Sequence, residues 1–232
     1  MTRVVSLVPS ATETLLAWGV DVVACTRFCE QPSLTHVGGT KDPDVAAIGA
    51  LAPDLVVVER EENRREDAEA LTAAGLRVHV MHVTSLDDVQ VNLIALGAAV
   101  GVTAEARPLD PPDSEWATAF VPIWRRPWMT INGGTYGSTL LHHLGVRNVF
   151  ADHEDRYPAH TLADAAALHP HLVLLPSEPY SFKDRHVDEI TAGLPAARVL
   201  AIDGQDLFWW GSRTPGALVR LRGALRAARP PA

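Results

Sequence analysis

Short apolar, β-branched runs alternate with helical patterns along this entire chain, and no other feature narrows the fold as far. The runs are RVVSLV, DVVAC, DLVVVE, RVHVMHV, WMTIN, NVFA, HLVLLP and RVLAID; helical patterns such as DVAAIGALA, EDAEALTAAG and LADAAALH lie between them. Strand-length runs separated by helix-period segments are the pattern of an α/β protein with mainly parallel sheets.

A second pattern underlies the first. GALAPDLVVVE (49–59) and AALHPHLVLLP (166–176) share a helix end, a proline and a strand, while LLAWGVDVV (15–23) and LHHLGVRNV (141–149) share a helix, a capping glycine and a strand. The two pairs keep the same order, which predicts a duplicated lobe. Between the copies, SLDDVQVNLIALGAAVGVTAEA predicts a single long helix over 85–106, with Ser85 as N-cap and Val89, Leu93, Leu96 and Val100 on one apolar face. Pro108, Pro111 and Pro112 stop it. The expected organisation is two Rossmann-like α/β lobes, 1–84 and 107–232, joined by the helix 85–106.

With 232 residues, 47% of them hydrophobic, the chain can fill such cores. A net charge of -8 with no concentrated basic stretch argues against a nucleic-acid partner. The one basic segment, RLRGALRAAR, places Arg220, Arg222, Arg226 and Arg229 near a helix end, where cations complement the dipole. No apolar run approaches the roughly 18 residues a membrane helix needs, so no span is expected. Pro9, Glu13 and Asp21 interrupt any export-signal core, so the sequence as it stands reads as cytoplasmic, and as periplasmic or extracellular only if a signal precedes it.

Cys25 and Cys29 match neither zinc-ribbon nor thioredoxin spacing. The histidines form no zincin motif, and His153, Glu154 and His160 are the one group that a single loop could gather. No metal site and no resident cofactor are expected.

In open parallel sheets, ligands bind beyond the carboxyl ends of the strands. Pro9 and Ser10 follow VVSLV, Glu59 and Arg60 close DLVVVE, and Tyr136 lies in GGTYGS after WMTIN. Glu178, Tyr180 and Phe182 lie in PSEPYSF after HLVLLP; Trp209, Trp210 and Arg213 lie in GQDLFWWGSR after RVLAID. These residues form the expected ligand-binding set of a cleft between the lobes, with Glu178 as a polar edge and Tyr180 and Phe182 as a wall. Structural roles stand beside these. Adjacent Trp209 and Trp210 would face opposite ways on a strand, leaving one in the core. Tyr136 suits either ligand contact beside glycines or a tight strand-to-helix turn with Ser138 as N-cap. Trp128 reads as core. ENRREDAEAL reads as an exposed helix start with Asn63 as N-cap and Glu66 in the capping box.

Five segments then point to a family. SLVPSATETLLAWG, VGGTKDPDVAAIGALAPDLVVVEREENRREDAEAL, PWMTINGGTYGS, RYPAHTLADAAALHPHLVLLPSEPYSF and DLFWWGSRTPGAL resemble the class III substrate-binding proteins, in family order and over nearly the whole chain. These helical-backbone metal receptors include the cobalamin- and ferric-siderophore-binding components of ABC importers. The resemblance implies two lobes on one rigid helix and non-catalytic binding of a metal chelate, a corrinoid before others, between aromatic side chains of both lobes. It places Phe28 where the first lobe's aromatic lies and Trp209 where the second lobe's tryptophan lies. It also implies an ABC permease as partner, with Glu66 and Glu189 as docking acids; both equally suit solvated helix faces.

The sequence departs from the family after DLVVV, where some cobalamin binders carry an aromatic residue. Glu59, Arg60, Glu61 and Glu62 stand there, a charged rim suited to a more polar ligand. The rival reading, from another class, makes Glu59, Glu61 and Glu62 the site of a cytosolic enzyme or cofactor-handling protein that reuses the fold. No nucleotide-binding glycine motif and no nucleophile elbow accompanies that cluster.

Overall fold

A computed structural model describes residues 2–105 and 108–229 and has the α/β architecture with parallel sheets that the alternation predicts. The chain divides into two units. Met1–Val83, Asp87–Pro108 and Trp210–Arg213 form the first, and Thr84–Leu86, Leu109–Trp209 and Thr214–Ala232 the second.

The first unit is built from β1 (Arg3–Ser6), α1 (Pro9–Ala17), β2 (Asp21–Cys25), β3 (Thr35–His36), α2 (Val45–Ala50), β4 (Leu55–Glu59), α3 (Arg65–Ala73), β5 (Val78–Met81) and, from Asp87 onward, α4 (Leu86–Val100). Its sheet runs β3-β2-β1-β4-β5, with every pair parallel. Strand β4 is buried at every position, as a parallel strand covered on both faces must be. Val5, Ala24, Val56 and Val58 of the sheet pack with Ile48 of α2 and Leu71 of α3.

The second unit contains β6 (Ala117–Phe120), β7 (Pro122–Trp124), β8 (Trp128–Thr130), α5 (Tyr136–His143), β9 (Val146–Asn148), β10 (Ala159–His160), α6 (Leu162–Ala167), β11 (Leu172–Pro176), α7 (Asp184–Gly193), β12 (Arg198–Ile202), α8 (Gly204–Phe208) and α9 (Thr214–Ala227). Its parallel sheet runs β12-β11-β6-β9, and an antiparallel sheet runs β10-β8-β7. Phe120, Phe150, Val173, Leu175, Ile190 and Leu194 form its core with Trp128, which is buried as the sequence suggests.

The duplication is visible in the backbone. Read from the other edge, β9-β6-β11-β12 repeats the order β2-β1-β4-β5. Gly19 and Gly145 follow α1 and α5 with φ of 70° and 73°, a left-handed turn that glycine adopts without a Cβ penalty. Ala52 and His169 follow α2 and α6 with φ of 45° and 48°, each just before a proline. Two non-glycine residues held in the same uncommon conformation at matching places are the signature of one template used twice.

Three local expectations need correction. The helix expected to run to residue 106 is α4, which ends at Val100; Gly101, at φ 78°, turns the chain, and the Val102 N–H donates back to the Gly97 carbonyl at 2.8 Å. The expected end, residue 106, lies outside the described residues. Leu86, Val89, Leu96 and Val100 of α4 are buried and Leu93 is half-buried, so the apolar face is real. Asn63 does not cap α3, whose N-cap is Arg64, because its side chain is engaged inside the fold. The C-terminal arginines are internally paired as well as near a helix end: Arg220 with Asp206, Arg222 with Asp113, and Arg229 over the Trp116 ring. No helix among the described residues is long and apolar enough to cross a membrane.

Candidate functional site

At the carboxyl edge of the first unit's sheet, the turn after β2 carries Phe28, 50% exposed, with the Arg27 guanidinium 4.8 Å from its ring centroid. Arg27 also pairs with Asp42 at 3.1 Å, and Lys41 Nζ donates to the Glu61 carbonyl at 2.7 Å. An exposed aromatic face among ionic groups is a surface for a flat ligand with polar edges. Phe28 therefore keeps an exposed position at the sheet's carboxyl edge.

The charged rim does not. The Glu59 side chain is 1% exposed, and its carboxylate accepts the backbone N–H groups of Glu61 at 2.5 Å, Glu62 at 3.0 Å and Val83 at 3.2 Å. Burial outweighs these donors and pushes its pKa up. Asn63 completes the knot. It accepts the Glu59 N–H at 2.8 Å and donates to the carbonyls of Leu7 at 3.2 Å and Thr40 at 2.9 Å. Glu59 is thus an internal cap for the loop after β4, and the sequence-based ligand role is corrected. Arg60 is exposed, but it borders a groove of about 930 Å³ lined by α3, β4 and β5, including Ala68, Thr72, Val78 and Val80. None of that lining comes from the loops after β1 or β2.

Pro9 and Ser10 open α1 and are buried. Pro9 sits at the first helical position, where its missing N–H costs no hydrogen bond, and the Ser10 carbonyl accepts from the Thr14 hydroxyl at 2.9 Å. Arg213, expected at the ligand, instead grips Glu13 with two hydrogen bonds of 2.9 and 2.8 Å. Trp210 is 4% exposed and serves the core.

In the second unit, the loop after β11 and the β7–β8 hairpin form an aromatic ledge. Tyr180 meets Trp124 edge-on at 5.2 Å and Phe182 at 4.9 Å, and Phe182 stacks on Trp128 at 6.1 Å with an interplanar angle of 7°. Trp124 is 45% exposed and Tyr180 is half-buried, so the ledge presents aromatic surface at a strand end. Sequence reasoning missed Trp124. Its signal was the WRRPW turn, two tryptophans flanking a basic pair and a proline.

The Trp209 indole N–H donates to Glu178 Oε1 at 2.6 Å, and Ser177 Oγ accepts the Gly204 N–H at 2.9 Å. Trp209 is only 9% exposed. It braces the PSEPYSF loop from inside, so both tryptophans of the WW pair are buried. Tyr136 is also buried, with its hydroxyl 3.0 Å from Thr214 Oγ1. Thr135 is the N-cap of α5, not Ser138, whose N–H it accepts at 3.4 Å. The GGTYGS segment is a helix start. Of the docking acids, Glu66 is exposed in the first turn of α3, whereas Glu189 is held by Arg125 Nε at 2.8 Å and Nη2 at 2.5 Å.

His186 supports the same loop. Its Nδ1 accepts the Lys183 N–H at 3.0 Å, and its ring lies 5.6 Å from Tyr180. Burial, then Arg185, lowers its pKa, and burial lowers those of His79 and His160. Below the unfolded histidine value of about 6.5 the unfolded chain holds more protons than the folded one, so stability rises with pH and is lost as pH falls through that window. Chemical unfolding at pH 5.5 and 7.5 is expected to show lower stability at the acid pH, with a shallower dependence in His186→Gln. An equal dependence in that variant assigns the loss to the other histidines. No group of three His, Cys, Asp or Glu able to hold a metal occurs among the described residues, and His160 lies between Phe120 and Phe150, 4.9 Å from each ring.

Comparison with known proteins bears out the fold. The family described as periplasmic binding protein matches residues 4–109. Over that segment the chain is similar to the periplasmic binding protein family. Its likeness to the class III substrate-binding proteins therefore stands. The vitamin B12-binding protein of Yersinia pestis (strain Pestoides F) is 24% identical over 236 aligned residues, covering 94% of this chain and 82% of the relative. The periplasmic vitamin B12 binding protein of Vibrio cholerae superposes with a TM-score of 0.77 at 20% identity, over 98% of this chain and 97% of that one. A periplasmic heme binding protein from Pseudomonas aeruginosa gives 0.79 at 21% identity, over 100% and 95%. At these identities the solved structures speak for the shared fold.

Proposed function

We propose that this chain binds a corrinoid or a related flat metal chelate, leaves it chemically unchanged, and hands it to an ABC importer. Phe28 carries the reading. It is a half-exposed aromatic ring at a strand end, flanked by the Arg27–Asp42 pair, in a chain whose curated relatives bind vitamin B12. Trp124 and Tyr180 supply a second aromatic surface of the same kind. A corrin ring offers apolar faces and amide edges, which suit aromatic contact and polar rims respectively. Glu66 is the acid available for a permease contact. The rival acidic-site reading loses its central residue, because the Glu59 carboxylate is buried on three backbone N–H groups.

Titration of tryptophan fluorescence with hydroxocobalamin, haem and a ferric siderophore tests the proposal. Saturable quenching selective for one of them is expected, at micromolar concentration or below. Phe28→Ala should weaken binding at least about tenfold, or about 1.4 kcal/mol. Silence with all three ligands, or an alanine variant that binds as wild type does, removes the reading.

A further inference from the structure

Arg222, Arg226 and Arg229, spaced by four and then three residues, fall on one side of α9 and the turn that ends it. With Asp113, Ser114 and Trp116 they line a pocket of about 270 Å³ within the second unit. Backbone contacts fix its floor. The Asp113 N–H donates to the His143 carbonyl at 2.9 Å, the Trp116 N–H to the Gly145 carbonyl at 2.9 Å, and the Trp116 indole N–H to the Leu144 carbonyl at 3.1 Å. These bonds occupy carbonyls at the end of α5 that would otherwise repel an anion. A Cβ at Gly145 would collide with the Ser114 carbonyl oxygen, so the segment lies directly against that turn. Arg222 Nε donates to Asp113 Oδ2 at 2.9 Å, and the Arg229 guanidinium lies over the Trp116 ring at 5.5 Å. The adjoining Glu115 pairs outside the pocket, with Arg147 at 3.7 Å. Arg226 is exposed and has no hydrogen-bond or ion-pair partner among the described residues. Three guanidinium groups therefore share one carboxylate, which leaves two positive charges uncompensated. The helix dipole accounts for a cation near the end of α9, but not for three that line one cavity.

We propose that this pocket binds a phosphate dianion, either free or as the head of a phosphomonoester. Arg226 is its principal ligand, Arg222 and Arg229 contribute N–H groups not spent on Asp113 and Trp116, and the Ser114 hydroxyl is a further donor. A guanidinium carries five N–H donors in a fork that matches two phosphate oxygens, so one existing contact does not exhaust it. A dianion neutralises both uncompensated charges, whereas a carboxylate monoanion neutralises one. The site is independent of the chelate reading, because none of its residues belongs to the Phe28 turn or the aromatic ledge.

Isothermal titration of the full chain with inorganic phosphate, at pH 7.5 and constant ionic strength, is expected to give saturable binding at or below about 1 mM, and titration with acetate none. Flotation with phosphatidylcholine vesicles, with and without phosphatidic acid, separates the two sources of the group. A phosphate isotherm, with or without flotation, supports the site with a soluble ligand; flotation on phosphatidic acid alone supports it with a lipid headgroup. Arg226→Gln should weaken the observed binding at least about tenfold. Arg185→Gln, the same charge change at an exposed position of α7, should leave it unchanged. Arg226 is exposed and unengaged by the described residues, so its variant should keep the wild-type circular dichroism, and the wild-type titrations stand without it. Absence of binding in both arms overturns the proposal, as does acetate binding as tightly as phosphate, or an equal loss in the two variants, which would reduce the effect to net charge.

Discussion

Glu59→Ala is expected to destabilise the first unit by about 3–5 kcal/mol, since it strips the acceptor from three backbone N–H groups and an unsatisfied buried donor costs about 1–3 kcal/mol, partly relieved by water. The donors belong to Glu61, Glu62 and Val83, so the loss loosens the loop after β4 and the segment after β5 together. Glu59→Gln should recover only part of the deficit. Its oxygen can still accept, but its amide nitrogen turns donors toward donors. Urea unfolding followed by circular dichroism measures both variants. In the fraction that remains folded, affinity for the chelate should match wild type. Wild-type stability with lost affinity would return Glu59 to the ligand rim and reopen the acidic-site reading.

The contrast between Glu59 and Gly19 shows what can be read along a chain. Gly19 and Gly145 sit between a helix and a strand, and the need for a left-handed residue there is local, so the motif carries its own meaning. The same holds for the buried strands β4 and β11, whose apolar runs admit few other solutions. A charge is different, because its role is set by partners distant in sequence. Nothing in EREEN reveals that the Val83 N–H arrives at Glu59, that Asn63 reaches Leu7 and Thr40, or that Arg213 meets Glu13. In each case a polar side chain that looks exposed in the sequence is engaged inside the first unit, by backbone groups at Glu59 and Asn63 and by a charge pair at Arg213. Trp124 escaped notice for a related reason: β7 is three residues long, too short for its alternation to register, and the hairpin is defined by antiparallel pairing with β8. Phe28 came from the family resemblance and not from its local pattern, although a turn directly after a strand does place it at the sheet's carboxyl edge.

Trp209→Ala is expected to cost about 3–5 kcal/mol of stability in the second unit, the usual range for truncating a large buried aromatic to alanine. Family resemblance makes Trp209 a ligand wall, yet the ring is 9% exposed and its N–H is committed to Glu178 at 2.6 Å. The two roles separate in Trp209→Phe. That variant keeps an aromatic ring in the core but loses the hydrogen bond to the carboxylate, worth about 1.5–3 kcal/mol when the partner is charged. As a brace, Trp209 should show that stability loss on unfolding, with affinity for hydroxocobalamin changed by no more than about threefold, the residue of a loosened Tyr180 loop. As a wall, it should show the opposite: a stable Trp209→Ala variant with affinity down by an order of magnitude. The Glu178→Gln variant sharpens the distinction, because it weakens the brace from the other side without touching either ring. Matching stability losses in Trp209→Phe and Glu178→Gln, together with a double variant no worse than either, would tie both residues to one hydrogen bond holding the aromatic ledge in place.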